Sequence, residues 1–182
     1  MKLVILDRDG VINYDSEAYI KSPEEWVPIP GSLEAIARLT QGGYRIVLAT
    51  NQAGLAKGLF TLEDLHQIHN KMYKQIFEVG GNIDAIFFCP HNPQDECHCR
   101  KPRPGMLQDI SKRLGTTLAD VPFVGDSLRD LQAAITGGAK PVLVLTGNGK
   151  ATLNNLEGFG DVAVYDDLTT FVDDLLSPTH DK

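Results

Sequence analysis

The sequence predicts a doubly wound α/β domain with a mainly parallel sheet. Short apolar runs recur along the chain, and stretches with helical spacing separate them. The runs are apolar throughout rather than alternating, as expected of strands covered on both faces. Composition supports a single packed core: 42% of the 182 residues are hydrophobic and 23% charged, close to the soluble globular average.

In chain order, the first predicted strand is residues 2–6, where Leu3, Val4, Ile5 and Leu6 follow one lysine. A helix over 32–41 places Leu33, Ile36, Ala37 and Leu39 on one side. A strand at 44–49 follows. Thr61 is a cap for a helix running to Val79, with Asp64 at the capping-box distance. The next strand is 83–88. A helix over 104–114 starts at a proline and stops before Gly115. A strand at 122–124 leads to a helix at 128–136, ended by Gly137 and Gly138. Strands at 141–145 and 162–164 and a helix at 168–176 complete the alternation, which implies parallel strands with crossover helices. Residues 1–176 are expected to form one domain and 177–182 a frayed tail. Two stretches, 15–30 and 89–104, lack periodicity, and long irregular stretches in a compact domain are usually functional.

The formal net charge is -7 and the pI about 5.1. Such a surface repels nucleic acid and anionic membranes, so neither is an expected partner. A phosphate-ester substrate would need its positive charge supplied locally. No run approaches the roughly 20 apolar residues of a membrane span. The N-terminal run is too short and too charged for a signal peptide, so a cytoplasmic location is expected. A monomer is the default. The three cysteines, Cys89, Cys97 and Cys99, crowd into one stretch, which points to metal rather than disulfides.

In doubly wound folds the ligand lies beyond the C-terminal strand ends. Asp7-Arg8-Asp9-Gly10 follows the first strand, and Thr50-Asn51-Gln52 the second. The third leads through the cysteine loop to Arg100-Lys101, and the fourth to Gly125-Asp126. Acids, a hydroxyl, amides and a cation pair converging there describe a phosphoryl-transfer site. The plainer alternatives are a polar turn for Asp7 and Asp9, and a helix start favouring acids for Asp126 and Asp130. For Arg100 and Lys101 the alternative is a solvated basic pair.

These segments resemble, in order, the four motifs of the haloacid dehalogenase (HAD) superfamily. The first is Asp7-Arg8-Asp9-Gly10-Val11-Ile12, then Thr50, Lys101, and Gly125-Asp126 with Asp130. The resemblance implies Asp7 as nucleophile, forming an aspartyl-phosphate. Asp9 would protonate the leaving alkoxide and then activate water. Asp7, the Asp9 carbonyl and Asp126 would hold Mg²⁺, an ion that prefers oxygen ligands. Thr50 and Lys101 would stabilise charge on the transferred group. Asp130 is expected to support Lys101 or a metal-bound water.

The loop offers Cys89, His91, Cys97 and Cys99 as four ligands for a closed structural Zn²⁺ site. Free thiols are the alternative, and His98 is a competing ligand ranked below His91. Zinc would pin a loop that holds Arg100 and Lys101 over the site.

Taken together, DRDGVIN, TNQ, the CPH…CxC loop, CRKPxPGM and VGDSLxDLQAA resemble the D-glycero-D-manno-heptose-1,7-bisphosphate 7-phosphatases, from Met1 to about Ala134. That implies a capless enzyme removing the 7-phosphate of a phosphorylated sugar during ADP-heptose assembly for lipopolysaccharide. Residues 15–30 become a small flap, with Asp15 and Tyr19 as sugar contacts. Asn51, Gln52 and Arg100 match the family's substrate contacts. The chain departs from many relatives at Ala53, at Ser127 and in a shorter zinc loop. Ser127 stands where some relatives have a phosphate-binding lysine, a role open to Arg129. A histidinol-phosphate phosphatase is the nearest rival, and a non-catalytic zinc-stabilised binding module is the rival of another class.

Three features are assigned bland roles. His66 and His69 are expected on a polar helix face. Residues 146–150 lack the full phosphate-loop spacing and are expected to turn into a helix. Trp26 is expected to pack the flap down.

Overall fold

The computed structural model describes residues 1–177. Six strands form one sheet: β1 (Leu3–Leu6), β2 (Arg45–Asn51), β3 (Ala85–Cys89), β4 (Pro122–Gly125), β5 (Lys140–Val144) and β6 (Ala163–Tyr165). Their spatial order is β3-β2-β1-β4-β5-β6 and every pairing is parallel. The helices are α1 (Ser32–Gln41), α2 (Leu62–Glu78), α3 (Gly105–Leu114), α4 (Leu128–Gly137), α5 (Gly149–Leu153) and α6 (Leu168–Leu175).

Side chains alternate across β1, as the two-residue period of a strand requires. Val4 and Leu6 join a cluster with Ile36 and Leu39 of α1, Ile68, Met72 and Ile76 of α2, and Phe171 and Val172 of α6. Leu3 and Ile5 face the opposite way, onto Met106, Leu107 and Ile110 of α3 and Ala133 and Ala134 of α4. All four β1 side chains are therefore buried, which is why this strand reads as a continuous apolar run. The sheet order reverses direction at β1, where β1 lies between β2 and β4, and a crevice opens there beyond the strand ends.

Several boundaries differ from the expectation for identifiable reasons. β2 runs two residues further, because Thr50 and Asn51 pair with Phe88 and Cys89. These two polar residues end an apolar run yet stay in the ladder. The expected turn at residues 146–150 leads into α5, a helix for which the sequence predicted no range. It has five residues and no side-chain cap, so its local pattern is weak. The flap region carries a 3₁₀ turn at Pro23–Glu25 and an isolated bridge between Asn13 and Pro28. Trp26 is fully buried in the α1–α2–α6 core, as expected of a packing residue. Lys71 ties that segment to α2 by donating to the carbonyls of Pro23 and Trp26, at 2.6 and 2.9 Å. The expected tail, Ser177 apart, lies outside the described residues. No helix among the described residues is long and apolar enough to cross a membrane.

Candidate active site

A cavity of about 240 Å³ opens at the C-terminal ends of the strands, and Asp7, Asp9, Thr50, Lys101 and Asp126 line it. At its centre Lys101 is buried and makes three contacts. Its Nζ lies 2.9 Å from Asp7 Oδ1 and 2.6 Å from Asp130 Oδ1, and it donates to the Ala49 carbonyl at 2.8 Å. The Arg8 amide also donates to Asp7 Oδ1, at 2.8 Å. Both contacts fall on one oxygen, and Oδ2 takes no part in either.

Asp130 does two jobs. Its Oδ1 meets Lys101, while its Oδ2 accepts from the amide and hydroxyl of Ser127 at 3.1 and 2.7 Å, closing a capping box on α4. Both oxygens are engaged, so Asp130 serves as Lys101's support.

Three buried carboxylates, Asp7, Asp126 and Asp130, lie within 4.8 Å of one another, and two of them meet the Lys101 ammonium. Burial opposes the charge on Lys101, but Asp130 and Asp7 outweigh it and raise its pKa. Asp7 is also raised, by burial and by the Asp130 charge, although Lys101 pulls it down. Burial and then Asp130 push Asp126 up to about 7. One cation does not balance three carboxylates in a dry site. A divalent cation between Asp7 and Asp126 would relieve the excess, so the donor set fits Mg²⁺.

Asp126 is held by residues 146–152, a stretch expected only to turn into a helix. The amide of Asn148 donates to Asp126 Oδ2 at 2.8 Å and its side chain does so at 3.3 Å. The Thr152 hydroxyl donates to the Asp126 carbonyl at 2.7 Å, and that of Thr146 to the Gly10 carbonyl at 2.6 Å. Gly10 and Gly147 both have positive φ. A Cβ on either would lie 2.1 or 2.2 Å from Asp126 Oδ2, so no other residue fits. Residues 146–149 thus turn into α5, as expected, and in doing so wrap the carboxylate.

Asp9 accepts from three side chains. Arg8 forks onto it from Nε and Nη2 at 2.9–3.1 Å, Asn13 reaches Oδ1 at 2.9 Å, and Gln52 reaches Oδ2 at 3.0 Å. Gln52 also donates to the Thr50 hydroxyl at 2.9 Å. Asn51 exchanges two 3.1 Å bonds with the main chain of Lys101. Asn51 and Gln52 line the cavity, but their amide groups hold Lys101, Asp9 and Thr50 in place.

Asp15, Tyr19 and Arg100 line the cavity mouth, with Arg129 beside them. Tyr19 has φ 67 and its hydroxyl accepts from Lys57 at 2.5 Å. Asp15 lies 3.5 Å from the Asn148 amide. Arg100 Nη1 is buried and has no hydrogen-bond partner among the described residues.

The loop brings its four expected ligands together. Cys89 Sγ lies 3.7 Å from Cys97 Sγ, 3.2 Å from Cys99 Sγ and 3.5 Å from His91 Nδ1, and Cys99 Sγ lies 3.3 Å from the same nitrogen. Thiolates about 2.3 Å from one tetrahedral Zn²⁺ would lie roughly 3.8 Å apart, close to this spacing. His91 joins the cluster, whereas the His98 carbonyl accepts from the Gly105 amide. Arg103 donates to the carbonyls of Cys97 and Asp95, fastening the same loop.

His69 was assigned to a polar face, but it is buried, and its Nε2 lies 3.1 Å from Arg8 Nη1. The pattern that could have found it is its register: Leu65, Ile68, His69, Met72 and Ile76 form the buried stripe of α2.

Residues 98–171 match the HAD-hydrolase-like family model. The chain is 61% identical over 153 residues to a D-glycero-β-D-manno-heptose-1,7-bisphosphate 7-phosphatase of Bordetella bronchiseptica, covering 84% of this chain and 86% of that one. It is 50% identical over 177 residues to the Pseudomonas putida protein of the same name, covering 97% and 100%. Among solved structures, the B. bronchiseptica D,D-heptose 1,7-bisphosphate phosphatase complexed with magnesium and phosphate superposes with a TM-score of 0.94 at 56% identity, covering 97% of this chain and 98% of that one. The Burkholderia thailandensis phosphatase of that name gives 0.77 at 48% identity, covering 97% and 99%. With this identity and coverage, and with the acids, lysine and threonine of all four motifs gathered around one cavity, the chain belongs to the D-glycero-β-D-manno-heptose-1,7-bisphosphate 7-phosphatase family of HAD-type hydrolases.

Proposed function

We propose that this protein is a Mg²⁺-dependent phosphatase that removes the 7-phosphate of D-glycero-D-manno-heptose 1,7-bisphosphate. The carrying observation is the buried Asp7–Lys101–Asp130 array, which opens into a cavity that Asp9 and Asp126 also line. Relatives covering most of the chain carry the heptose bisphosphate name.

Asp7 Oδ2 attacks phosphorus, and the bond from phosphorus to the sugar oxygen breaks. Asp9 gives its proton to that leaving oxygen. Water then attacks phosphorus of the aspartyl-phosphate, Asp9 takes its proton, and Asp7 is released with inorganic phosphate. Lys101 and the Thr50 hydroxyl stabilise the phosphoryl oxygens in both steps. Asp7, Asp126 and the Asp9 carbonyl would hold Mg²⁺, which offsets repulsion between the anionic nucleophile and the anionic phosphate. Cys89, His91, Cys97 and Cys99 would hold Zn²⁺ in a structural role, fixing the segment that carries Arg100 and Lys101. The unpartnered Arg100 Nη1, with Arg129 nearby, suits the substrate's second phosphate. Asp15 and Tyr19 face the sugar from the flap.

The test is phosphate release with Mg²⁺ from both anomers of heptose 1,7-bisphosphate against histidinol phosphate. Preference for the heptose supports the reading. Preference for histidinol phosphate keeps the chemistry and changes the substrate, and activity on neither rejects both.

A further inference from the structure

Arg8 is fully buried, yet it contributes nothing to the reaction as written. Its guanidinium has two sets of partners. Nε and Nη2 form the fork on Asp9, and Nη1 points at His69 Nε2. A guanidinium can only donate, so Nε2 must be the accepting, unprotonated nitrogen of the ring. Burial, and then the Arg8 charge, hold the His69 pKa down to about 3, which keeps the ring neutral in ordinary buffers. Without that acceptor Nη1 would be a buried donor with nothing to bond, and the guanidinium would have reason to rotate away from its fork. The α2 helix therefore reaches the acid–base through one intermediary.

We propose that His69 and Arg8 are positioning residues for Asp9: His69 fixes the rotation of the guanidinium, and the guanidinium fixes the plane of the carboxyl group that gives its proton to the leaving oxygen and takes one back from water. The inference rests on the acid–base role of Asp9 proposed above. It concerns the proton step alone, since the Arg8 guanidinium and the His69 ring bond to neither Asp7 nor Lys101, and Arg8 meets Asp7 only through its main-chain amide.

That restriction makes it testable by leaving group. An alkyl ester such as the heptose phosphate needs a proton on its leaving oxygen, whereas nitrophenolate departs without one. Phosphoryl transfer to Asp7, read as kcat/KM, should depend on His69 for the first and not for the second. With Mg²⁺ present, His69→Leu should lower kcat/KM on heptose bisphosphate by about 10- to 100-fold, part of the range for a general acid, and on p-nitrophenyl phosphate by less than about 3-fold. His69→Gln, which keeps an acceptor near the position of Nε2, should restore the alkyl ester to within about 3-fold of wild type. Both substrates are assayed on one preparation, so the ratio of the two constants does not depend on how much protein is folded.

Equal loss on both substrates, or no loss on either, would overturn the proposal, as would failure of His69→Gln to rescue. Asp9→Asn separates the levels. If it spares the alkyl ester, the acid–base role of Asp9 falls. If it abolishes that activity while His69→Leu does not lower it, only the positioning role falls. Wild-type turnover of the heptose ester independently reports on the substrate.

Discussion

The floor and the mouth of the cavity are built differently. On the floor, Asp7, Lys101, Asp126 and Asp130 are buried and have protein partners. At the mouth, Asp15 and Tyr19 lie on a flap, and Arg100 has a guanidinium nitrogen with no hydrogen-bond partner among the described residues. Phosphoryl transfer is nearly the same for every ester, so its groups can be fixed in advance on strand ends. Recognition must complete itself around a ligand, so its groups sit on loops with capacity to spare.

This contrast predicts that floor mutations lower kcat while mouth mutations raise KM. The largest effect should come from Asp7→Asn, with turnover falling by about 10⁴-fold or more, as for other covalent nucleophiles. Its thermal melting should stay near wild type, because the amide oxygen still accepts from Lys101 and Arg8. Residual turnover near wild type would remove the nucleophile from the scheme. Asp130→Ala should come next. It strips a buried cation of one of its two carboxylate partners and opens the α4 cap, so urea unfolding should register a loss of about 3 kcal/mol together with a fall in kcat. Cys97→Ser should release the metal from the loop. Wild-type protein should carry about one zinc per chain by elemental analysis, and the mutant less, with lower stability and lower kcat. Arg100→Ala should leave kcat nearly intact and raise KM about 10-fold, the loss of one charge-assisted contact. An unchanged KM there would place the second phosphate elsewhere.

The smallest effect concerns pH. Asp126 titrates near 3.8 when unfolded and at about 7 in the metal-free fold. Between those values the folded state binds the extra proton, so its stability falls as pH rises through that window. Mg²⁺ should therefore raise the melting temperature more at pH 8 than at pH 5. Equal shifts would contradict the metal assignment of Asp126.

Most of the floor was legible in the sequence because strand ends announce it. Leu3–Leu6 is an apolar run of the kind a doubly covered strand produces, and the acids that follow it are placed by the topology. The parts that were not legible are the ones joined across long sequence separations. Asn148 meets Asp126 22 residues away and His69 meets Arg8 61 residues away; the register of α2 marks His69 as buried, but nothing local names the partner of either residue. Asn51 and Gln52 show a related difficulty: the residue types were visible, but not which neighbours would use their amides. The flap's Trp26 was readable because a tryptophan among prolines has few alternatives to packing.

The double engagement of Asp130 couples the fold to the chemistry. One of its oxygens starts helix α4 and the other holds the ammonium that faces the nucleophile. Loss of the helix start and loss of the Asp130–Lys101 contact are therefore one event, so a change that unwinds α4 should be read in turnover as well as in stability.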